Sequence, residues 1–65
     1  MAVRREEAFE LLMIEEADAW FEYREATVGQ TGKRYAEGEP WAWARLQQRR
    51  RAIAARRARL GSAAA

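Results

Sequence analysis

The chain lacks cysteine and histidine altogether, and its 65 residues include one proline and four glycines. Without cysteine there can be no disulfide, and the thiolate and imidazole ligands that hold structural zinc are both missing. A chain this short buries only about 60% of the surface that its unfolded form exposes, so a monomer is expected to be marginally stable. Oligomerisation is the stabilising device that the composition leaves open.

Long hydrophobic runs are also missing. Uncharged apolar stretches extend no further than Leu11 to Ile14 and Pro40 to Ala44, whereas a membrane-spanning helix needs about 20 apolar residues. Glu6 and Glu7 directly follow the N-terminal arginines, which argues against a signal or transit peptide. The sequence therefore predicts a soluble protein without a membrane span, and a cytoplasmic location is compatible with it.

What the chain does have is two long glycine-free segments, in a sequence with 15 alanines. They predict an all-α fold with two helices. The first is expected over about residues 3–28, with Gly29 as its C-terminal cap. The second is expected to begin at Pro40, a residue suited to the first helical position, and to end near Leu60 before Gly61. Residues 29–39 would connect the two helices of a single domain, residues 1–60, and residues 61–65 would be a flexible tail or an expression remnant.

Apolar residues at helical spacing predict how the two helices pack as an antiparallel hairpin. On the first helix the spacing selects Phe9, Met13, Glu16, Trp20, Tyr23 and Thr27, widened by Leu12, Ala17 and Phe21. On the second helix it selects Trp43, Leu46, Arg50, Ile53, Arg57 and Leu60. The charged members of these two sets would lie opposite one another, so Glu16 is expected to pair with Arg50 or Arg57, and Trp20 to offer its ring face to Arg50. The alternative is that these long side chains extend from the edge of the interface into water.

The two halves of the chain carry opposite charge. Residues 1–28 contain eight acids and three arginines, a net −5, whereas residues 29–65 contain nine bases and two acids, a net +7. Pairing of the two helices would neutralise much of this charge. Apolar residues left over, among them Leu11, Ile14 and Trp41, favour a second interface, and a dimeric four-helix bundle is the predicted assembly. The alternatives are a single long bent helix that dimerises by swapping, and a hairpin that binds a different protein.

No pattern indicates a cofactor, a metal site or a small-molecule substrate. Residues 29–34, Gly-Gln-Thr-Gly-Lys-Arg, lack the first glycine, the hydroxyl residue and the preceding strand of a phosphate-binding loop. The acids of the first helix fall mostly on its predicted outer face, and no nucleophile has an adjacent base. The sequence predicts that the protein is not an enzyme.

Two binding functions fit the remaining pattern. The first is a self-associating interaction protein, a small regulator or assembly factor that could also bind another protein. Its candidate contact residues are aromatic and aliphatic: Phe9, Met13, Trp20, Phe21, Tyr23, Trp41, Trp43, Leu46, Ile53 and Leu60. The alternative is a nucleic-acid-binding protein that lays its arginine-rich helix against phosphates. Its candidate contacts are Lys33, Arg34, Arg45, Arg49, Arg51, Arg56 and Arg59.

Overall fold

The computed structural model describes residues 4–64, and these form two helices joined by a short connection. Helix α1 spans Arg5–Thr27 and helix α2 spans Gly32–Ala64. They pack against each other as an antiparallel hairpin, which confirms the predicted all-helical hairpin. The predicted helical start at residue 3 and the last tail residue, 65, lie outside the described residues.

The connection is a tight turn that depends on glycine. Val28 is extended, Gly29 has a φ of +76°, and the Gln30 N–H donates to the Thr27 carbonyl at 3.2 Å. These values define a type II turn, whose third residue needs a positive φ and so favours glycine. Gly32 also has a positive φ, +58°, where α2 begins.

The second helix is longer at both ends than the sequence predicted. It begins at Gly32 instead of Pro40, so the connection is residues 28–31 and not 29–39, and Pro40 lies inside the helix. Proline inside a helix removes one backbone hydrogen bond, but two contacts hold the preceding turns. Lys33 lies 3.7 Å from Glu37 one turn later, and Glu39 accepts a hydrogen bond from Tyr23 of α1. At the other end the helix continues through Gly61 to Ala64. Gly61 does not adopt the positive φ of a helix-ending glycine, and the alanines that follow it favour helix.

The core is small and lies between the two helices. Its buried residues are Leu12 (4% exposed) and Ala19 (1%) of α1, and Leu46 (1%) and Ile53 (2%) of α2. Each pair is separated by seven residues, which is the repeat that keeps side chains on one side of a helix. Phe9, Tyr23 and Leu60 are half-buried beside this core.

Part of the predicted face of α1 lies in the interface, since Phe9, Glu16 and Tyr23 are half-buried, and part of it does not. Met13 and Phe21 are 66% and 61% exposed, and Ala17 is exposed too. The most buried positions are Leu12 and Ala19, so the side of α1 that meets α2 is rotated by about 70° from the centre of the predicted face. This rotation carries the acidic row of α1 to the arginines of α2, and the small Ala19 lets the helix axes come close.

The hairpin is elongated. Its extents are 49 × 16 × 14 Å, with a Cα radius of gyration of 15.3 Å, whereas a compact chain of this length has a radius of gyration of about 11 Å. The long dimension matches the roughly 50 Å of a 33-residue helix. Neither α1 nor α2 has a segment apolar enough to cross a membrane.

Candidate interaction surface

Three aromatic rings meet near the turn end of the hairpin. Trp20, Tyr23 and Trp43 contact one another edge to face, with ring centroids 5.6 to 6.5 Å apart. Such pairs contribute roughly 0.5–1.5 kcal/mol beyond the area they bury. Trp20 and Trp43 nevertheless remain 38% and 44% exposed. The cluster therefore stabilises the hairpin and also presents aromatic surface at one flank.

Tyr23 links this cluster to the start of α2. Its hydroxyl donates to the Glu39 carboxylate at 2.6 Å. The hydrogen bond to Glu39, together with partial burial and the nearby carboxylate charge, raises the pKa of Tyr23 to about 12. The phenol is thus held in its neutral, donating form.

The acid inside the interface lies between two arginines. Glu16 Oε2 is 3.6 Å from Arg50 Nε, and Glu16 Oε1 is 3.7 Å from Arg57 Nη2. The Arg50 guanidinium lies over the Trp20 ring, 5.3 Å from its centroid. Arg50 Nε is buried and has no hydrogen-bond partner. The Glu16 carboxylate and the face of the Trp20 ring therefore stabilise the charge of this guanidinium.

A second row of ion pairs lies along the other side of the interface between α1 and α2. Asp18 and Glu22 both accept hydrogen bonds from Arg49, at 3.1 and 3.0 Å. Arg45 donates to Glu22, and Arg56 donates to Glu15. The hydrogen bond from Arg45 and the charges of Arg45 and Arg49 hold the pKa of Glu22 below its usual value, while Glu22 raises the pKa of Arg45.

These contacts divide the candidate phosphate-binding residues into two groups. Arg45, Arg49 and Arg56 form ion pairs with acids of α1. Lys33 forms an ion pair with Glu37 within its own helix. Arg34, Arg51 and Arg59 have no ion pair among residues 4–64, and all three are exposed. The structure therefore does not gather the candidate phosphate contacts into one free basic face.

The side of α1 that faces away from α2 is apolar. Met13, Ile14 and Phe21 are 66%, 63% and 61% exposed, and Ala17 lies among them. Phe21 and Ile14 each follow a buried residue, Ala19 and Leu12, by two positions, which places them about 200° around the helix. We call Met13, Ile14, Ala17 and Phe21 the outer surface of α1.

The sequence prediction assigns three residues of this outer surface, Met13, Ala17 and Phe21, to the face that packs against α2. Helix α1 has two apolar sides at the same helical spacing, and the larger side chains lie on the side that α2 leaves uncovered. Ala19 is not in the predicted face because the series of four- and three-residue steps from Phe9 passes from Glu16 to Trp20 and skips it. The seven-residue interval from Leu12 to Ala19, matching that from Leu46 to Ile53, is the signal that could have found it.

Two further apolar features lie away from the outer surface of α1. Trp41, on the outside of α2, is 81% exposed. A shallow groove of about 340 Å³ lies near the open end of the hairpin and is lined by Ala8, Leu11, Leu12, Arg56, Arg59 and Leu60. Its walls are mainly aliphatic and have no convergent polar groups of the kind that orient a small ligand.

Neither a cluster of reactive side chains nor a similar protein indicates the function of the chain directly. Among residues 4–64 no three acids converge in a way that could hold a metal ion. No protein-family model, curated protein or solved structure matches the chain. The surfaces described above are therefore the basis for a functional proposal.

Proposed function

We propose that the chain is a non-enzymatic, self-associating helical interaction protein, a small regulator or assembly factor that works as a four-helix dimer. The observation that carries the proposal is the outer surface of α1. Three large apolar side chains on it, Met13, Ile14 and Phe21, are each more than 60% exposed. Contiguous apolar patches on soluble proteins mark interaction sites.

The size of the hairpin core supports the same conclusion. Only Leu12, Ala19, Leu46 and Ile53 are buried among the described residues, and one of them is an alanine. Single cores of domains this small rarely supply more than about 3–5 kcal/mol. Covering the outer surface of α1 in a dimer would roughly double the number of buried large apolar side chains and stabilise both hairpins.

The charge distribution favours a protein interface over a nucleic-acid interface. Five arginines of α2 form ion pairs with acids of α1, namely Arg45, Arg49, Arg50, Arg56 and Arg57. Binding phosphates with this helix would require those pairs to be exchanged. A nucleic-acid complex would depend on the remaining cations and would weaken steeply with salt.

The test compares two glutamate substitutions by sedimentation equilibrium. Phe21→Glu places a charge on the outer surface of α1, and Ala55→Glu places the same charge on an exposed position of α2. We expect the unaltered chain and Ala55→Glu to have the mass of a dimer, and Phe21→Glu that of a monomer. A monomeric unaltered chain at all concentrations would contradict self-association, and a salt-sensitive complex with mixed-sequence RNA would favour the nucleic-acid alternative.

A further inference from the structure

The outer surface of α1 is framed by two opposite charges. Glu10 lies seven residues before Ala17, and Arg24 lies seven residues after it, so all three share one side of the helix. Both charged residues are exposed, and neither forms an ion pair with another residue in the 4–64 range. Four other acids of α1 already pair with α2: Glu15, Glu16, Asp18 and Glu22.

We infer that two copies of the chain pair antiparallel through the outer surface of α1, about a two-fold axis at Ala17, so that Glu10 of each copy faces Arg24 of the other. This inference rests on the proposed self-association and adds the direction and register of the interface.

The charges select the antiparallel direction. In a parallel pair with the same register, Glu10 would face the partner's Glu10, and Arg24 would face the partner's Arg24. Like charges at facing positions repel, whereas the antiparallel pair makes two identical attractions by symmetry. A two-fold interface needs such self-complementarity, and a sequence with an acid and a base equidistant from one residue provides it.

The apolar residues fit the same axis. Ala17 would meet the partner's Ala17, and its small side chain allows the helices to approach to the usual interaxial distance of about 8–10 Å. Four positions on either side of Ala17, Met13 would lie at the level of the partner's Phe21. A flexible thioether beside an aromatic ring is a favourable contact. Each interface thus has a small centre, two Met–Phe layers and an ion pair at each end.

Charge-reversal variants test the direction and register. In Glu10→Arg both framing positions carry arginine, and in Arg24→Glu both carry glutamate, so each variant alone would place like charges opposite each other. We expect the dissociation constant of each variant's dimer to rise about tenfold or more at low salt. An equimolar mixture should form heterodimers, since every facing pair is then attractive, and the double variant Glu10→Arg/Arg24→Glu should dimerise like the unaltered chain.

Sedimentation velocity on the separate and mixed variants gives the readout, with circular dichroism showing that each remains helical. Single variants that stay fully dimeric, or a helical mixture that stays monomeric, would overturn this register while the unaltered chain remained a dimer. A monomeric unaltered chain would instead overturn the proposed function itself. Arg51→Glu makes the same charge reversal as Arg24→Glu at an exposed position of α2 that is turned away from α1, so it serves as the matched control and should leave the dimer unchanged.

Discussion

At the scale of single residues, the hairpin holds charged and polar side chains in its interface and gives several of them a local partner, although Gln47 Nε2 is buried without a hydrogen bond. Glu16 is between Arg50 and Arg57, and Tyr23 donates to Glu39. These groups are only partly buried, so their stabilisation depends on geometry and on protonation state. Each contact therefore gives a distinct prediction.

Replacing Glu39 should change the titration of Tyr23. In Glu39→Gln the amide can still accept a hydrogen bond but carries no charge to repel the phenolate, so the pKa of Tyr23 should fall from about 12 toward the usual 10. Ultraviolet titration measures it in a Tyr35→Phe background, which leaves one tyrosine signal. Because Tyr35 also contributes to the raised pKa of Tyr23, the background is titrated with and without Glu39→Gln, and the pKa should fall between the two. An unchanged pKa in Glu39→Gln would show that the hydrogen bond to the carboxylate is not its cause.

The same contact predicts how stability depends on alkaline pH. Because folding raises the pKa of Tyr23, the neutral phenol stabilises the folded state fully below about pH 10. That stabilisation is lost as the pH rises toward about 12. The difference in free energy of unfolding between the unaltered chain and Tyr23→Phe should therefore shrink over this range, as measured by denaturant unfolding. A difference that stays constant with pH would contradict the linkage.

Glu16 and Arg50 should be energetically coupled. Their charges lie 3.6 Å apart with side chains 33% and 40% exposed, so a double-mutant cycle to alanine should give a coupling of roughly 0.2–1 kcal/mol. A parallel cycle with Glu25, an exposed acid that forms no ion pair among the described residues, should be additive. A Glu16–Arg50 coupling no larger than that of the control would show that the pair contributes nothing.

At the scale of the helices, the rotation of α1 decides which residues are core and which are surface. Leu12 and Ala19 face α2, while Met13, Ile14 and Phe21 face away. The ion pairs explain this choice, because Glu15, Asp18 and Glu22 can meet Arg45, Arg49 and Arg56 only when this side of α1 is turned toward α2.

Enlarging Ala19 should reveal this packing. Ala19→Leu inserts three carbon atoms at a position that is 1% exposed, and overpacking of this kind typically costs about 1–3 kcal/mol. Ala55→Leu makes the same change on the exposed face of α2 and should alter the free energy of unfolding by less than about 0.5 kcal/mol. Thermal unfolding that ranked the two substitutions in the opposite order would contradict the observed rotation of α1.

Much of this arrangement follows from the sequence. The helix pattern and the turn glycine predict the hairpin, and the seven-residue spacing of α2 predicts that Leu46 and Ile53 face α1. The rotation of α1 does not follow, because its two apolar sides have the same period and alanine gives little signal at the buried one. The predicted start of α2 is also wrong, because Pro40 carries the signature of a first helical residue. The helix extends back to Gly32, where the Lys33–Glu37 pair and the tertiary contact of Tyr23 with Glu39 support the added turns.

At the scale of the whole molecule, the slender hairpin leaves more large apolar side chains exposed than it buries among the described residues. Its shortest extent is 14 Å, little more than one helix diameter of about 10–12 Å. Such a molecule cannot cover α1 on both sides by itself. The self-association proposed for the outer surface of α1 would cover that side, and the framing pair Glu10 and Arg24 would give the association its direction.

The two isoleucines of the chain allow the most direct test, because Ile14 lies on the outer surface of α1 and Ile53 is buried between α1 and α2. We would record the δ1-methyl resonances of both by nuclear magnetic resonance over a dilution series that spans dimer dissociation. We expect the Ile14 signal to shift on dilution while the Ile53 signal stays in place. An Ile14 signal that is independent of concentration, in samples with the mass of a single chain throughout, would contradict burial of this surface by a second copy.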